Sequence, residues 1–503
     1  MMVEMTTTSL SRNQQLEAAS ADFDARYPEY EKTAILDRLR ETDYRRLDES
    51  KQVYLDYTGG SLYGESQLER HMELMRAEVF GNPHSNNPTS TAMTRQLERS
   101  RQYILSYFNA SAQDYILVFT SNASGALKLI GESFAFAPGG RLLLTFDNHN
   151  SVNGIREFAR AKGATIDYAP LTAPSLRLDE ERLEALLDEA DPAHANLFAF
   201  PAQSNVSGVK HPLSLVEKAQ KKGWSVLLDA AAFAPTNRLD LKAVQPEFAV
   251  VSFYKMFGYP TGVGALLIRK TALRNLHRPW FAGGTVNFVS VQGQLHILSE
   301  GEAAFEDGTL NYLAIPAVEI GLRHLEAIGM DIIAERVRCL TGWMLEELLA
   351  MRHSNGHAMV RIYGPATTKA RGGTVTLNLY DPDGHLLDYR RVEELAGAEG
   401  ISLRTGCFCN PGLGEMAEGL TEDDMKAAQE LGTEVNLMSF LRLMQGRGHK
   451  SAGAIRASTG LASNFEDVWR FVRFVRGFRD QTRLAIGEAS FDIDSCRIIR
   501  DGS

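Results

Sequence analysis

The chain has 503 residues, which at about 150 residues per domain predicts two or three domains. Its 53 lysines and arginines against 63 aspartates and glutamates give a net charge of −10, which argues against a protein that binds nucleic-acid phosphates. The composition, 44% hydrophobic and 23% charged, is that of a globular protein with a substantial core.

The sequence also indicates a cellular context. No apolar run approaches the roughly 18 residues of a membrane-spanning helix, and residues 1–15 are polar, without the apolar stretch of a signal peptide. Four cysteines are too few for a disulfide framework, and only Cys407 and Cys409 lie close together, while Cys339 and Cys496 stand alone. We therefore expect a soluble cytoplasmic protein with no membrane partner.

Between residues 54 and 270, short apolar runs alternate with amphipathic stretches such as 178–190 and 213–222. Most runs are continuously apolar, which is typical of strands covered on both faces by helices. We predict strands at 115–119, 141–145, 196–200, 225–228, 248–253 and 264–268. The alternation predicts an α/β fold with a largely parallel sheet and right-handed crossovers.

After residue 310 the pattern changes. It predicts a long helical stretch over 315–351 with a break at Gly329, followed by a half-buried strand through Val375, Leu377 and Leu379. Further along we predict a helix near 392–396, strands near 401–403 and 453–457, and a helix that begins with a capping box at 463–466. This mixture predicts a second, smaller α+β domain. An N-terminal helical segment with Ile35, Leu36, Leu39 and Leu47 on one face is expected to pack on it. We assign residues 51–330 to the large domain and residues 1–50 and 331–503 to the small one.

Polar residues follow four of the predicted strands, where ligands of open α/β sheets bind. Residues 120–125, which include Ala123 and Ser124, place hydroxyls and backbone N–H groups at a helix start, as a phosphate site or an ordinary N-cap would. His149 lies in a turn, and Asp229 ends a strand as a cofactor partner or a helix cap would. Lys255 follows a buried strand and is either functional or a lysine that extends to the surface.

These four features together match the chemical requirements of one cofactor. Pyridoxal 5′-phosphate needs a lysine that binds it covalently, a carboxylate that keeps its ring nitrogen protonated and an anion site for its phosphate. Asp229 precedes Lys255 by about one crossover unit, so the two side chains are expected at neighbouring strand ends.

Several segments strongly resemble the aminotransferase-like domain of molybdenum cofactor sulfurases, a family in the class V, cysteine-desulfurase-like branch of fold-type I pyridoxal phosphate enzymes. The resemblance covers residues 54 to 478 and includes these segments: YLDY at 54–57, GNPHS at 81–85, DNH at 147–149, LDAA at 228–231, SFYKMFGYPTG at 252–262, GGTV at 283–286, FEDGT at 305–309 and RTGCFCNPG at 404–412. It implies a fold-type I transferase with a mostly parallel seven-stranded sheet in the large domain and a smaller α+β domain.

The resemblance also implies residue roles. Lys255 would hold the cofactor, Asp229 would pair with the pyridine nitrogen, and His149 would stack on the ring. Further cofactor contacts would come from Asn205 to the 3′ oxygen, from Ala123, Ser124 and Ser252 to the phosphate, and from Thr285 of the second subunit of a homodimer. Arg456 would bind the substrate carboxylate, a task that suits a planar guanidinium, although an arginine ending an edge strand is often only a surface residue.

The loop at 406–412 decides between reaction types. Cys407 and Cys409 are too close to form a structural zinc site without a further pair, so we predict no metal. They are either buried thiols or, as the flanking Gly, Asn and Pro residues indicate, thiols of a mobile surface loop beside a cationic site. The resemblance makes Cys409 the sulfur acceptor.

The resulting hypothesis is desulfuration of L-cysteine, or a related sulfur amino acid, with a persulfide on Cys409 and release of alanine. The alternatives are a carbon–sulfur β-lyase or class V aminotransferase that does not use Cys409, and a catalytically silent scaffold. Because few residues follow Phe478, we expect this chain to lack the further domain that binds the molybdenum cofactor in eukaryotic relatives. The sequences at 413–415 and 431–436 also depart from the family pattern. The sequence therefore does not identify the protein or metabolite that receives the sulfur from the enzyme.

Overall fold

The structure is a computed structural model that describes residues 11–417, 419–430, 443, 453–488, 491–492 and 497–498. Its α-helices are Arg12–Arg26, Ile35–Asp43, Arg46–Glu49, Glu65–Ala77, Pro88–Tyr107, Ala123–Ser133, Asn150–Asn153, Ile155–Ala161, Glu180–Leu187, Leu215–Gln220, Leu241–Val244, Phe253–Phe257, Ile315–Ile328, Met330–Ala350, Tyr389–Ala398, Pro411–Ala417, Glu422–Gln429, Phe465–Arg476 and Arg483–Ile486. Short 3-10 helices lie at Pro28–Thr33, Lys270–Asn275 and Gly301–Ala304.

A seven-stranded sheet forms the centre of the molecule. In sheet order its strands are Tyr115–Thr120, Gly264–Arg269, Phe248–Ser252, Ser225–Asp229, Asn196–Pro201, Arg141–Thr145 and Thr165–Ala169. Gly264–Arg269 runs antiparallel to both of its neighbours, and the other six strands run in one direction. The predicted mostly parallel sheet and fold class are confirmed. The edge strand Thr165–Ala169 was missed because its residues are mostly only half-buried and read as polar.

Both faces of this sheet are covered, which explains the continuous apolar runs. Successive side chains of a strand point to opposite faces, so Leu117 packs into one core cluster and Val118 into another. The first cluster includes residues of helices Pro88–Tyr107 and Ile315–Ile328, and the second includes residues of helix Ala123–Ser133.

A four-stranded antiparallel sheet packs in a third cluster, with its strands in the order Val360–Tyr363, Thr374–Leu379, Ala454–Ser458 and Arg404–Gly406. Helices Met330–Ala350 and Phe465–Arg476 contribute to the same cluster. Strand Thr374–Leu379 is buried on both faces, so the half-buried prediction is wrong. Its polar side chains find partners inside: the Thr376 hydroxyl donates to the Val206 carbonyl at 2.7 Å.

The remaining strands form two-stranded pairs: Val53–Tyr54 with Ile401–Ser402, Val286–Ser290 with Leu295–Leu298, Leu171–Thr172 with Arg177–Leu178, and Phe491–Asp492 with Arg497–Ile498.

Several local predictions were correct and others need correction. Gly329, with φ at 94°, separates the two long helices as predicted. The capping box lies one residue later than predicted, with Asn464 as the N-cap.

The N-terminal helical face also differs from the prediction. Leu36 is buried in the cluster of the central sheet rather than in that of the small sheet, and Leu39 and Leu47 pack against the same central cluster. Ile35 is exposed. The domain boundaries at 51–330 stay a prediction. Among the described residues, no helix has the length and apolarity needed to cross a membrane.

Candidate active site

A cavity of about 170 Å³ opens where the parallel strands of the central sheet end. The turns after Thr120, Thr145, Pro201, Asp229 and Ser252 supply its walls. Seven residues predicted from the sequence line it together: Ala123, Ser124, His149, Asn205, Asp229, Ser252 and Lys255. Gln203, Ser151 and Tyr254 also line it and were not predicted.

One end of the cavity is built for an anion. Helix Ala123–Ser133 begins there, and its N-cap Asn122 accepts a hydrogen bond from the Gly125 N–H at 2.9 Å. The Ser252 hydroxyl accepts from the Ala123 N–H at 2.9 Å, and the Ser124 and Ser151 hydroxyl oxygens lie 2.6 Å apart. A helix N-terminus lined by hydroxyl groups is a suitable site for a phosphate.

Lys255 and Asp229 share the cavity. Asp229 is buried, and its Oδ1 accepts the Ala231 N–H at 2.9 Å. Burial lowers the pKa of the half-buried Lys255, and the Arg456 cation lowers it further, whereas attraction to Asp229 acts in the opposite direction. The lowered pKa increases the fraction of neutral Lys255 amine, the form that acts as a nucleophile or base.

His149 has a defined tautomer in its neutral form. Its Nδ1 accepts the Ser151 backbone N–H at 3.1 Å, so the ring proton is placed on Nε2. Burial lowers the pKa of His149, and the neighbouring Lys255 and Arg456 cations lower it further. The imidazole is therefore neutral at neutral pH, which suits a ring that stacks on an aromatic cofactor.

The cysteine loop is bonded to residues of the cavity region. Asn205 Nδ2 donates to the Phe408 carbonyl at 2.9 Å, and the Asn150 N–H donates to the Cys409 carbonyl at 2.7 Å. Cys407 and Cys409 are exposed, as predicted for a surface loop, whereas Cys339 is buried. Cys496 and residues 431–436 lie outside the described residues.

Arg456 lies beside the cavity rather than in its lining. It occupies an interior strand of the small sheet and is buried, so the edge-strand expectation is wrong: Arg404–Gly406 forms the outer strand. Its Nη1 donates to the Asn205 carbonyl at 3.1 Å, and its Nη2 donates to Asp56 at 3.0 Å. The guanidinium carbon lies 4.9 Å from the centre of the Phe408 ring.

The Asp56 carboxylate is shared by two arginines. Arg404 Nη2 donates to it at 2.7 Å, and Arg404 Nε adds longer hydrogen bonds. Asp56 and Arg404 lie in the family-like segments at 54–57 and 404–412, but the sequence predicts no contact between residues so far apart in the chain.

Thr285 does not line the cavity of this chain. It is buried, and its hydroxyl donates to the Ala282 carbonyl at 2.9 Å. Its role toward a second subunit stays a prediction.

The donor set fits pyridoxal phosphate. A lysine, a buried carboxylate, a neutral imidazole and a hydroxyl-lined helix start are the groups that this cofactor requires, and one cavity holds them all. A primary amide carries two N–H bonds, so Asn205 can donate to both the Phe408 carbonyl and a cofactor oxygen.

Comparison with known proteins gives consistent results. The chain is 36% identical over 471 residues to the molybdenum cofactor sulfurase of Solanum lycopersicum, covering 88% of this chain and 57% of the relative. It is 34% identical over 462 residues to the human molybdenum cofactor sulfurase, covering 88% of this chain and 51% of the relative. The chain thus spans about half the length of these curated relatives.

Solved structures share the fold. An apo cysteine desulfurase from Thermococcus onnurineus NA1 superposes with a TM-score of 0.72 at 24% identity, over 88% of this chain and 97% of that one. A cysteine desulfurase from Escherichia coli gives a TM-score of 0.68 at 20% identity, over 88% and 97%. The family model for aminotransferase class-V matches residues 53–471. This chain therefore belongs to the aminotransferase class-V family.

Proposed function

We propose that the chain is a pyridoxal phosphate-dependent, cysteine desulfurase-like enzyme. L-Cysteine, or a related sulfur amino acid, is the substrate. The bond between its Cβ and sulfur breaks, a bond between that sulfur and Cys409 Sγ forms, and the carbon skeleton leaves as alanine. Atoms and electrons balance without an external oxidant or reductant, because L-cysteine and an enzyme thiol give L-alanine and an enzyme persulfide.

Bound pyridoxal phosphate supplies an electron sink for the charge that develops when a bond at Cα breaks. Lys255 holds the cofactor and, once released, its neutral amine takes the Cα proton. Asp229 keeps a proton on the ring nitrogen, and His149 packs against the ring. Ala123, Ser124 and Ser252 hold the phosphate, and Asn205 donates to the 3′ oxygen.

Arg456 binds the substrate carboxylate. Its Nε is buried and has no hydrogen-bond partner among the described residues, so one donor of the guanidinium is left unpaired. A carboxylate can form a charge-assisted hydrogen bond with this group.

The observation that carries the proposal is the attachment of the cysteine loop to the cavity. Two consecutive residues of the loop are hydrogen-bonded to the cavity region: Phe408 to Asn205, a wall residue, and Cys409 itself to Asn150, the neighbour of His149. An exposed thiol in a loop that is hydrogen-bonded to the walls of a cation-containing site favours sulfur transfer to Cys409 over chemistry that does not use it.

We further propose that the enzyme is a cytoplasmic homodimer that passes its sulfur to a protein or a metabolite. Free thiols at Cys339, Cys407 and Cys409 suit a reducing compartment. The hairpin that follows Thr285 exposes Phe288, Leu295 and Ile297, each about half accessible, an apolar surface that a second copy would cover. Light scattering of the purified protein tests the dimer, and a monomer would contradict it.

Product identification tests the activity. The cofactor-loaded protein is incubated with a panel of sulfur amino acids, and the products are identified by mass spectrometry. The proposal predicts alanine and persulfide sulfur from L-cysteine or a close analogue. Pyruvate with ammonia would instead indicate a β-lyase, a keto acid would indicate an aminotransferase, and no turnover with any substrate would favour a silent homologue.

A further inference from the structure

Three loops meet beside the cavity through the Asn410 side chain. The segment 146–150 carries His149, the segment 202–211 carries Asn205, and the segment 407–410 carries Cys409. Their relative position therefore decides how far the Cys409 thiol lies from the groups that line the cavity.

The Asn410 side chain joins all three loops. Its Nδ2 donates to the Asp147 carbonyl at 2.7 Å and to Asn205 Oδ1 at 2.9 Å, and its Oδ1 accepts the Leu413 N–H at 3.3 Å. Asn410 is 1% exposed, so these hydrogen bonds are shielded from water. A buried amide with satisfied donors fixes its partners more firmly than an exposed one, because leaving a buried polar group unpaired is costly.

A second buried contact involves the side chain of Asp147, whose carbonyl accepts the Asn410 hydrogen bond. His211 Nε2 lies 2.8 Å from Asp147 Oδ2, and the two side chains are 1% and 0% exposed. The His211 N–H donates to the Ala202 carbonyl at 3.1 Å and so closes the base of the 202–211 loop. The pair links the loop of His149 to the loop of Asn205, and removing one partner would leave the other buried without its hydrogen bond.

We propose that Asn410 and the Asp147–His211 pair are positioning residues for Cys409. None of the three lines the cavity. The buried pair fixes the separation of the two cavity loops, and the Asn410 amide binds both loops and thereby fixes the cysteine loop against the cavity. This inference rests on the proposed function, since it assigns a geometric requirement to the sulfur-transfer step.

Asn410→Asp is the main test. Aspartate keeps the size and the Oδ1 acceptor, but it cannot donate to Asp147 or Asn205 and places a negative charge against two oxygen acceptors. Persulfide formation on Cys409 is expected to fall on the order of 10- to 100-fold, the cost of misplacing a reacting group by about 1 Å. Exchange of the Cα proton of L-alanine with solvent deuterium uses Lys255 but not Cys409, so it should fall much less than persulfide formation.

The buried pair is tested by His211→Leu, with His211→Gln as the conservative variant whose amide restores a donor. His211→Leu should reduce persulfide formation while sparing proton exchange, and His211→Gln should recover most of it. His194→Leu is the matched control, because His194 forms a 3.1 Å contact with Asp191 in an exposed setting. If His211→Leu does not fold, Asn410→Asp alone carries the test.

A readout without cofactor supports the assignment. Hydrogen–deuterium exchange of a peptide spanning the 407–410 loop should be faster in cofactor-free Asn410→Asp than in the parent protein. Equal persulfide formation in the parent and Asn410→Asp would overturn the inference, and so would parallel loss of persulfide formation and proton exchange. A parent protein with no desulfuration on any substrate would contradict the proposed function instead.

Discussion

Replacing Arg456 by lysine keeps a cation beside the cavity but removes the planar fork of the guanidinium. In the parent protein this fork donates to the Asn205 carbonyl at 3.1 Å and to Asp56 at 3.0 Å, which leaves Nε for a substrate carboxylate. Because the charge is retained, its effect on the pKa of Lys255 is largely preserved. The substitution therefore isolates the directional hydrogen bonds.

The expected magnitude follows from these contacts. Asp56 keeps Arg404 as a partner at 2.7 Å, so its carboxylate is not left unpaired and the free energy of unfolding should fall by only about 1 kcal/mol. The substrate carboxylate loses one charge-assisted hydrogen bond, about 1.5 to 3 kcal/mol. This corresponds to a decrease of about 10- to 150-fold in kcat/KM for L-cysteine.

Steady-state alanine formation from L-cysteine measures the effect. Arg404→Lys serves as the control, because Arg404 pairs with the same carboxylate but has a half-exposed side chain. It should lose much less kcat/KM than Arg456→Lys. An unchanged kcat/KM in Arg456→Lys, or equal losses in the two variants, would refute the assignment of Arg456 to the carboxylate.

Three further substitutions test the cofactor site and its support. Lys255→Ala should no longer gain the mass of the cofactor after borohydride reduction, whereas the parent should, and equal mass gain would contradict covalent attachment at Lys255. The pKa of His149 is lowered from 6.5, so just below this pH the unfolded state binds more protons than the folded state. In urea titrations, the free energy of unfolding of the parent should therefore fall more between about pH 7 and pH 5 than that of His149→Gln. Parallel pH profiles would argue against a buried neutral His149. Gly258→Ala should destabilise the protein by more than the roughly 1–3 kcal/mol of backbone strain, because φ is 81° and the new Cβ would lie 2.4 Å from the Leu62 carbonyl carbon. Gly384→Ala, with φ at 85° and open space around the new Cβ, is its control, and equal losses would exclude the steric contribution.

The strand ends of the cavity were predictable from the sequence because their strands are buried on both faces. Continuous apolar runs located the strands that end near Asp229 and Lys255, and a parallel sheet brings such ends to one edge. The side chains at these ends then meet with no further assumption about the loops between them.

Contacts between loops were not predictable in this way. The Asp147–His211 pair joins residues 64 positions apart in two irregular segments, and no periodicity marks either residue. The interior position of Arg456 depends on the short strand Arg404–Gly406, which lies outside it in the sheet and has no apolar alternation that would mark it in the sequence. The strand Thr165–Ala169 was not predicted for a related reason: it is half-buried, and its alternation of polar and apolar residues is too short to indicate a strand.

The central claim is that Cys409 accepts the sulfur, and the Cys409→Ser variant tests it most directly. The variant and the matched control Cys407→Ser are each given one equivalent of L-cysteine in the cofactor-loaded state, and the intact protein mass and released alanine are measured together. Cys409→Ser should bind cofactor normally yet show neither the added sulfur mass nor the burst of alanine, whereas Cys407→Ser should retain both. Sulfur mass and alanine release in Cys409→Ser equal to those of the parent would contradict the account.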